Sequence, residues 1–188
     1  MEILSLGLVL FLGTHLIPTL PGVKDKLVGA YGENRYKGAF SILSALGLVL
    51  IVAGYSRAPL EPRLFDPYPG AILLAPAAMA VSFILLAAAN MKTYLRRWIM
   101  HPMLLGVGIW SAIHLLANGS ARASMLFGGF LAYVVIDAIS AIRRNATKSF
   151  RPVALHDLIA VVSGVSLAAL VMMFHRQAFG VAVVSWGA

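Results

Sequence analysis

Two histidines, His15 and His114, stand deep inside apolar stretches long enough to cross a lipid bilayer. An ionisable side chain in hydrocarbon is costly, so it faces the bundle interior and has a partner there. A neutral imidazole offers one nitrogen lone pair to a metal and one N–H to a fixed acceptor. Two of them on different spans point to a single bound centre. Two neutral imidazoles held by different helices, one on each face of the ring, suit the iron of haem b.

The residues around each histidine sharpen that reading. Ser111, His114 and Asn118 are spaced to share one helix face, with Trp110 one turn before His114. Gly106 and Gly108 would admit a neighbouring helix or a flat cofactor. The competing reading is a histidine tied to a backbone carbonyl at a helix contact, with Asn118-Gly119 as an ordinary helix stop. His15 is flanked by Gly13 and Thr14 and precedes Pro18 and Pro21, which would end its helix. His101-Pro102 opens the span of His114, but His101 lies about 220° round that helix from His114 and cannot share its ligand. Asp137 either orients a ligand histidine through its second ring nitrogen or pairs with Arg143 and Arg144. His156-Asp157 reads as a structural helix start, and His175-Arg176 as an interfacial helix end. Counting about 1.5 Å per residue, His15 and His114 differ in depth by roughly 8–12 Å. On depth alone, His114 and His175 make the alternative pair.

These residues must be carried by membrane-crossing helices. The chain has 188 residues, 60% hydrophobic and only 12% charged, with a mean hydropathy of +0.87. A soluble domain has about a quarter of its residues charged. The expected fold is an all-α integral membrane bundle of about six transmembrane helices, treated as one domain over residues 1–188. The spans are predicted near 2–20, 38–56, 70–91, 99–118, 123–142 and 154–175. The start lacks the basic end and small-residue cleavage site of a signal peptide. Cysteine is absent, so disulfides, thiolate ligands and thiol nucleophiles are excluded.

The net charge of +8 resides in the connections, which points to lipid headgroups and topology, not to nucleic acid. Lys24, Lys26, Arg35, Lys37, Lys92, Arg96, Arg97, Arg143, Arg144, Lys148 and Arg151 fall on one side. Only Arg57, Arg63, Arg122 and Arg176 fall on the other. By the positive-inside rule both termini lie outside the cytoplasm, in the periplasm if the host membrane is a bacterial inner membrane. Tyr36, Tyr94 and Trp98 then mark the inner boundary, and Tyr55, Tyr68 and Trp186 the outer one. Residues 177–188 are apolar but too short to span, and are expected to fold back along the outer surface.

Two segments carry a resemblance. One is Gly7-Leu8-Val9-Leu10-Phe11-Leu12-Gly13-Thr14-His15, continuing through Gly32-Glu33-Asn34-Arg35-Tyr36-Lys37-Gly38-Ala39-Phe40-Ser41. The other is His101-Pro102-Met103-Leu104-Leu105-Gly106 with Trp110-Ser111-Ala112-Ile113-His114-Leu115-Leu116-Ala117-Asn118-Gly119. Together these resemble the NnrU family of bacterial membrane proteins over essentially the whole chain. That resemblance implies a link to denitrification, through nitrite and nitric oxide reduction. The family is in turn similar to the zeta-carotene isomerase of plants and cyanobacteria, an integral membrane haem b enzyme that rotates a carbon–carbon double bond. By that resemblance its two haem-ligand histidines fall on His15 and His114, and its alternative cysteine ligand falls on Ser111. Serine cannot act as a soft thiolate. The His-Pro opening also resembles that of membrane methyltransferases, which have Arg where this chain has Met100.

The expectation is therefore a membrane haem b protein with His15 and His114 as axial ligands and Trp110, Ser111 and Asn118 lining the pocket. Arg35, Lys37, Arg96 or Arg97 would meet the haem propionates. Its activity would be that of an isomerase acting on a hydrophobic polyene, or of a redox or nitric oxide-linked accessory to denitrification. The other classes are a non-catalytic membrane assembly factor and a methyltransferase.

Overall fold

The computed structural model describes residues 1–145 and 149–180. These form eight α-helices: α1 (Glu2–Leu16), α2 (Val23–Tyr31), α3 (Glu33–Arg57), α4 (Pro69–Ala89), α5 (Tyr94–Ile99), α6 (Pro102–Asn118), α7 (Ala121–Arg143) and α8 (Ala154–Phe179). Of these, α1 with its following 3-10 turn, α3, α4, α7 and α8 are long and apolar enough to cross a membrane. Large apolar side chains such as Leu73 and Val9 lie on their outer faces, 81% and 72% exposed, where only lipid makes exposure favourable. The chain is an all-α, multi-pass membrane protein.

The fourth apolar helix differs from expectation. A span over 99–118 was predicted, whereas α6 begins at Pro102 and has 17 residues, about 26 Å of helix. Residues 94–99 instead form α5, whose Thr93 cap accepts from the Arg96 N–H at 2.9 Å. Met100 then adopts φ 61°, which breaks the helical path, and Pro102 restarts it in the first turn, where proline is favoured. Lys148 and Trp186, used above for orientation and the outer boundary, lie outside the described residues. So do residues 181–188 of the expected fold-back, while 177–179 are the last turn of α8.

The helices group into two compact units, residues 1–66 with 118–146, and residues 67–117 with 147–188. In the first, α1 and α3 pack antiparallel with their backbones in contact. A Cβ on Gly7 would fall 2.6 Å from the Ile51 nitrogen, one on Gly47 2.8 Å from the Phe11 nitrogen, and one on Gly54 onto the backbone of Leu4. Small residues at such a seam supply the close van der Waals packing that drives helix association in lipid. Helix α7 runs parallel to α1. Ser5 Oγ lies 3.3 Å from Met125 Sδ, Phe11 packs 5.8 Å from Phe130, and the Ser140 hydroxyl donates to the Thr19 carbonyl at 2.6 Å. Arg122 closes the other end, its guanidinium over the Tyr55 ring and donating to the Ala58 carbonyl at 2.9 Å.

In the second unit, Gly164 of α8 meets the Ile84 backbone of α4. Buried Ser82 of α4 donates to the Gly106 carbonyl of α6 at 2.8 Å. The start of α8 is clamped to the turn before α5. Asp157 accepts from the Tyr94 and Leu95 N–H groups at 2.9 and 3.1 Å, and His156 Nδ1 accepts from the Lys92 N–H at 3.2 Å. The structural reading of His156-Asp157 agrees with this.

Two outcomes follow for thermal unfolding in detergent. Gly54→Val forces α1 and α3 apart and costs about 1–3 kcal/mol, whereas Gly38→Ala on the same helix, where a Cβ meets nothing within 4 Å, stays within about 0.5 kcal/mol. Asp157→Ala leaves two helix-start N–H groups without their acceptor and costs about 1 kcal/mol. An unchanged midpoint for either Gly54→Val or Asp157→Ala contradicts the packing described.

Candidate functional site

Each of the two histidines is held in the same way. His15 Nδ1 lies 2.7 Å from the Phe11 carbonyl oxygen, four residues back on α1. His114 Nδ1 lies 2.9 Å from the Trp110 carbonyl oxygen, four residues back on α6. A carbonyl can only accept, so in both rings Nδ1 carries the proton and Nε2 carries the lone pair. This tie to a backbone carbonyl is the one the competing reading of His114 expects, and a metal-ligating histidine has the same arrangement, with its second nitrogen donating to a fixed oxygen. The residue that supplies the carbonyl is aromatic in both cases, and its ring also packs on the histidine. Phe11 stacks on His15 with centroids 4.2 Å apart, and Trp110 lies 5.6 Å from His114. The sequence singles out Trp110 beside His114, and the same spacing places Phe11 beside His15, a repeat of the aromatic-x-x-x-His unit.

Around His15, in the first unit, the remaining neighbours are aromatic. Phe40 of α3 meets the ring edge-on at 5.0 Å, and Tyr133 of α7 at 6.2 Å and 86°. The Tyr133 hydroxyl donates to Asp137 at 3.1 Å, and Asp137 lies 3.8 Å from the Arg144 guanidinium. Of the two roles considered for Asp137, the ion pair with Arg144 is the one observed, with Tyr133 placed between Asp137 and the histidine. Tyr36, one turn before Phe40, has a buried hydroxyl without a hydrogen-bond partner. That is an orphaned donor beside an aromatic cluster, as expected where a further polar group is to be received.

Around His114, in the second unit, one neighbour on another helix is His175 of α8, its ring centroid 6.4 Å away. The structure thus brings together the pair that depth alone suggested. Ser111 is fully buried, and its hydroxyl donates to the Val107 carbonyl at 2.7 Å. Gly106 is taken up by the contact with Ser82. Asn118 accepts from the Ser120 hydroxyl at 3.0 Å, and Gly119 turns the chain at φ 73°, so these two build the turn into α7. The proposed propionate partners differ in freedom. Lys37 pairs with Glu33 at 2.8 Å, and Arg96 sits over the Phe150 ring while donating to the Met91 carbonyl at 3.3 Å. Arg35 and Arg97 are exposed.

Each histidine, taken in its own unit, offers a donor of the kind haem iron takes. It is an imidazole with an oriented lone pair beside aromatic rings, and the chain has no cysteine. Among the described residues no group of three or more His, Cys, Asp or Glu side chains forms a cluster.

No curated protein and no solved structure matches the chain. A family model described as NnrU protein matches residues 3–183, nearly the whole sequence, and the chain therefore belongs to the NnrU family.

Proposed function

We propose that this protein is an integral membrane haem b protein in which His15 and His114 supply axial imidazoles. We further propose that it serves denitrification as a redox or nitric oxide-linked accessory in a bacterial inner membrane, with both termini in the periplasm. The observation that carries the haem reading is the shared Nδ1–H donation to an aromatic residue's carbonyl, which gives both rings the tautomer that a metal ligand needs. Haem would supply one-electron exchange and an iron to which nitric oxide binds. The protein's own contribution is orientation and exclusion of water. Phe11, Phe40 and Tyr133 wall in the His15 ring, and Trp110 packs on the His114 ring. The low dielectric of such walls tunes a redox centre. Exposed Arg35 and Arg97 remain suited to carboxylate groups at the basic boundary.

Ser111 favours the accessory role over an isomerase of the carotenoid type. The position that would hold a thiolate there holds a hydroxyl committed to its own helix backbone, and a polyene substrate is correspondingly less well supported than nitric oxide.

Absorption spectroscopy of the detergent-purified protein tests the reading. The expected oxidised spectrum has a Soret band, and dithionite reduction brings sharp α and β bands. His114→Ala loses the sharp bands, and the double variant His15→Ala/His114→Ala loses haem altogether. A featureless spectrum from folded protein made with ample haem would sink the proposal, as would a double variant that keeps the wild-type spectrum.

A further inference from the structure

Within the second unit, α5 and the start of α8 enclose a cavity of about 380 Å³, inside the roughly 300–1,000 Å³ range of small-molecule pockets. Its α5 wall is Tyr94 and Trp98, one turn apart, with ring centroids 6.3 Å from each other. Its α8 wall is Ala154, Asp157, Ala160 and Val161, which share one helix face by their i, i+3 and i+4 spacing. The small alanines leave room beneath the rings. Asp157 is the only acid in residues 90–101 and 149–161. Its two oxygens accept from the Tyr94 and Leu95 N–H groups, so it builds the groove and its charge is spent on backbone. Trp98 is 75% exposed, and its ring stands where interfacial aromatics meet lipid.

Two cations belong to the same end of this unit. Lys92 precedes α5 and Arg151 precedes α8, and both are exposed. The Val153 N–H donates to the Lys92 carbonyl at 2.8 Å, and Arg96 lies over the Phe150 ring, so the two chain segments that carry these cations run side by side. An apolar groove with interfacial rings and a cationic rim matches a molecule with a hydrocarbon chain and an anionic head. Basic pockets between membrane helices bind anionic lipid headgroups in this way.

We propose that this groove holds an anionic phospholipid, with an acyl chain between Trp98 and the alanines of α8 and the phosphate held by Lys92 and Arg151. The lipid covers the exposed aromatic wall and ties α5 to α8 beyond the Asp157 clamp.

The test is native mass spectrometry of the full-length protein released from nanodiscs of equal phosphatidylglycerol and phosphatidylcholine with matched chains. Wild type is expected to retain phosphatidylglycerol, favoured on the order of tenfold by the two cations. Lys92→Gln/Arg151→Gln retains the two lipids equally. Lys24→Gln/Lys26→Gln removes the same charge from the first unit and keeps the preference. Val161→Trp fills the groove and retains no lipid, and if it does not fold, Ala154→Leu at the exposed start of α8 is read in the same way. A wild type without retained lipid or without preference overturns the proposal, and if it runs as a dimer the groove belongs to a second copy of the chain. An equal loss of preference in both charge variants also overturns it, since the field of the whole basic boundary then accounts for binding. So does lipid retained by the groove-filling variant.

Discussion

In hydrocarbon a polar side chain must find its partner within the protein, and several here find it one turn back on their own helix. Thr14, His15, Ser111, His114 and Ser163 each donate to the backbone carbonyl four residues earlier. For the hydroxyl groups this is simple satisfaction, which lets a serine or threonine sit on a membrane helix at little cost. For the histidines it has a chemical consequence. The tether occupies Nδ1 and fixes the direction of Nε2, and the proposed haem ligation would use that nitrogen.

Holding that base in place depends on how closely the helices approach. The α1–α3 seam is made by Gly7, Gly47 and Gly54, and it brings Phe40 of α3 against the ring of His15 on α1. Helix α7 runs parallel to α1 and contributes Tyr133, which is itself fixed by Asp137 and Arg144. In the other unit, Ser82 ties α4 to α6 and Gly164 seats α8 on α4, and His175 of α8 lies beside His114. The charged clamp at Asp157 anchors the opposite end of α8 to the first turn of α5. Each unit therefore uses small residues for approach and aromatic rings to surround a histidine.

Much of this was legible in the sequence, because hydropathy over some 20 residues reports directly on spanning helices. His15 and His114 stood out since a histidine in such a segment needs a reason. The limits of α6 were not legible. Pattern alone runs Ile99 into the apolar stretch that follows, and only the φ of Met100 separates α5 from α6. Side-chain pairings were only partly legible. Asp137 could have served a histidine or an arginine on sequence grounds, and the choice of Arg144 depends on side-chain reach at the helix end. His175 read first as an interfacial helix end, but helical depth already offered it as an alternative partner of His114, and its ring does lie beside that one. Trp110, four before His114, was found from its spacing, and the same i, i+4 reasoning applied to His15 would have found Phe11.

The most direct measurement of the account is electron paramagnetic resonance with nuclear double resonance on the oxidised protein, its histidine rings labelled with nitrogen-15. Two neutral imidazoles whose Nδ1 protons are held by backbone carbonyls predict a low-spin ferric signal coupled to two labelled nitrogens. A high-spin signal coupled to one labelled nitrogen or none, or the absence of any ferric signal from folded protein supplied with haem, would contradict it.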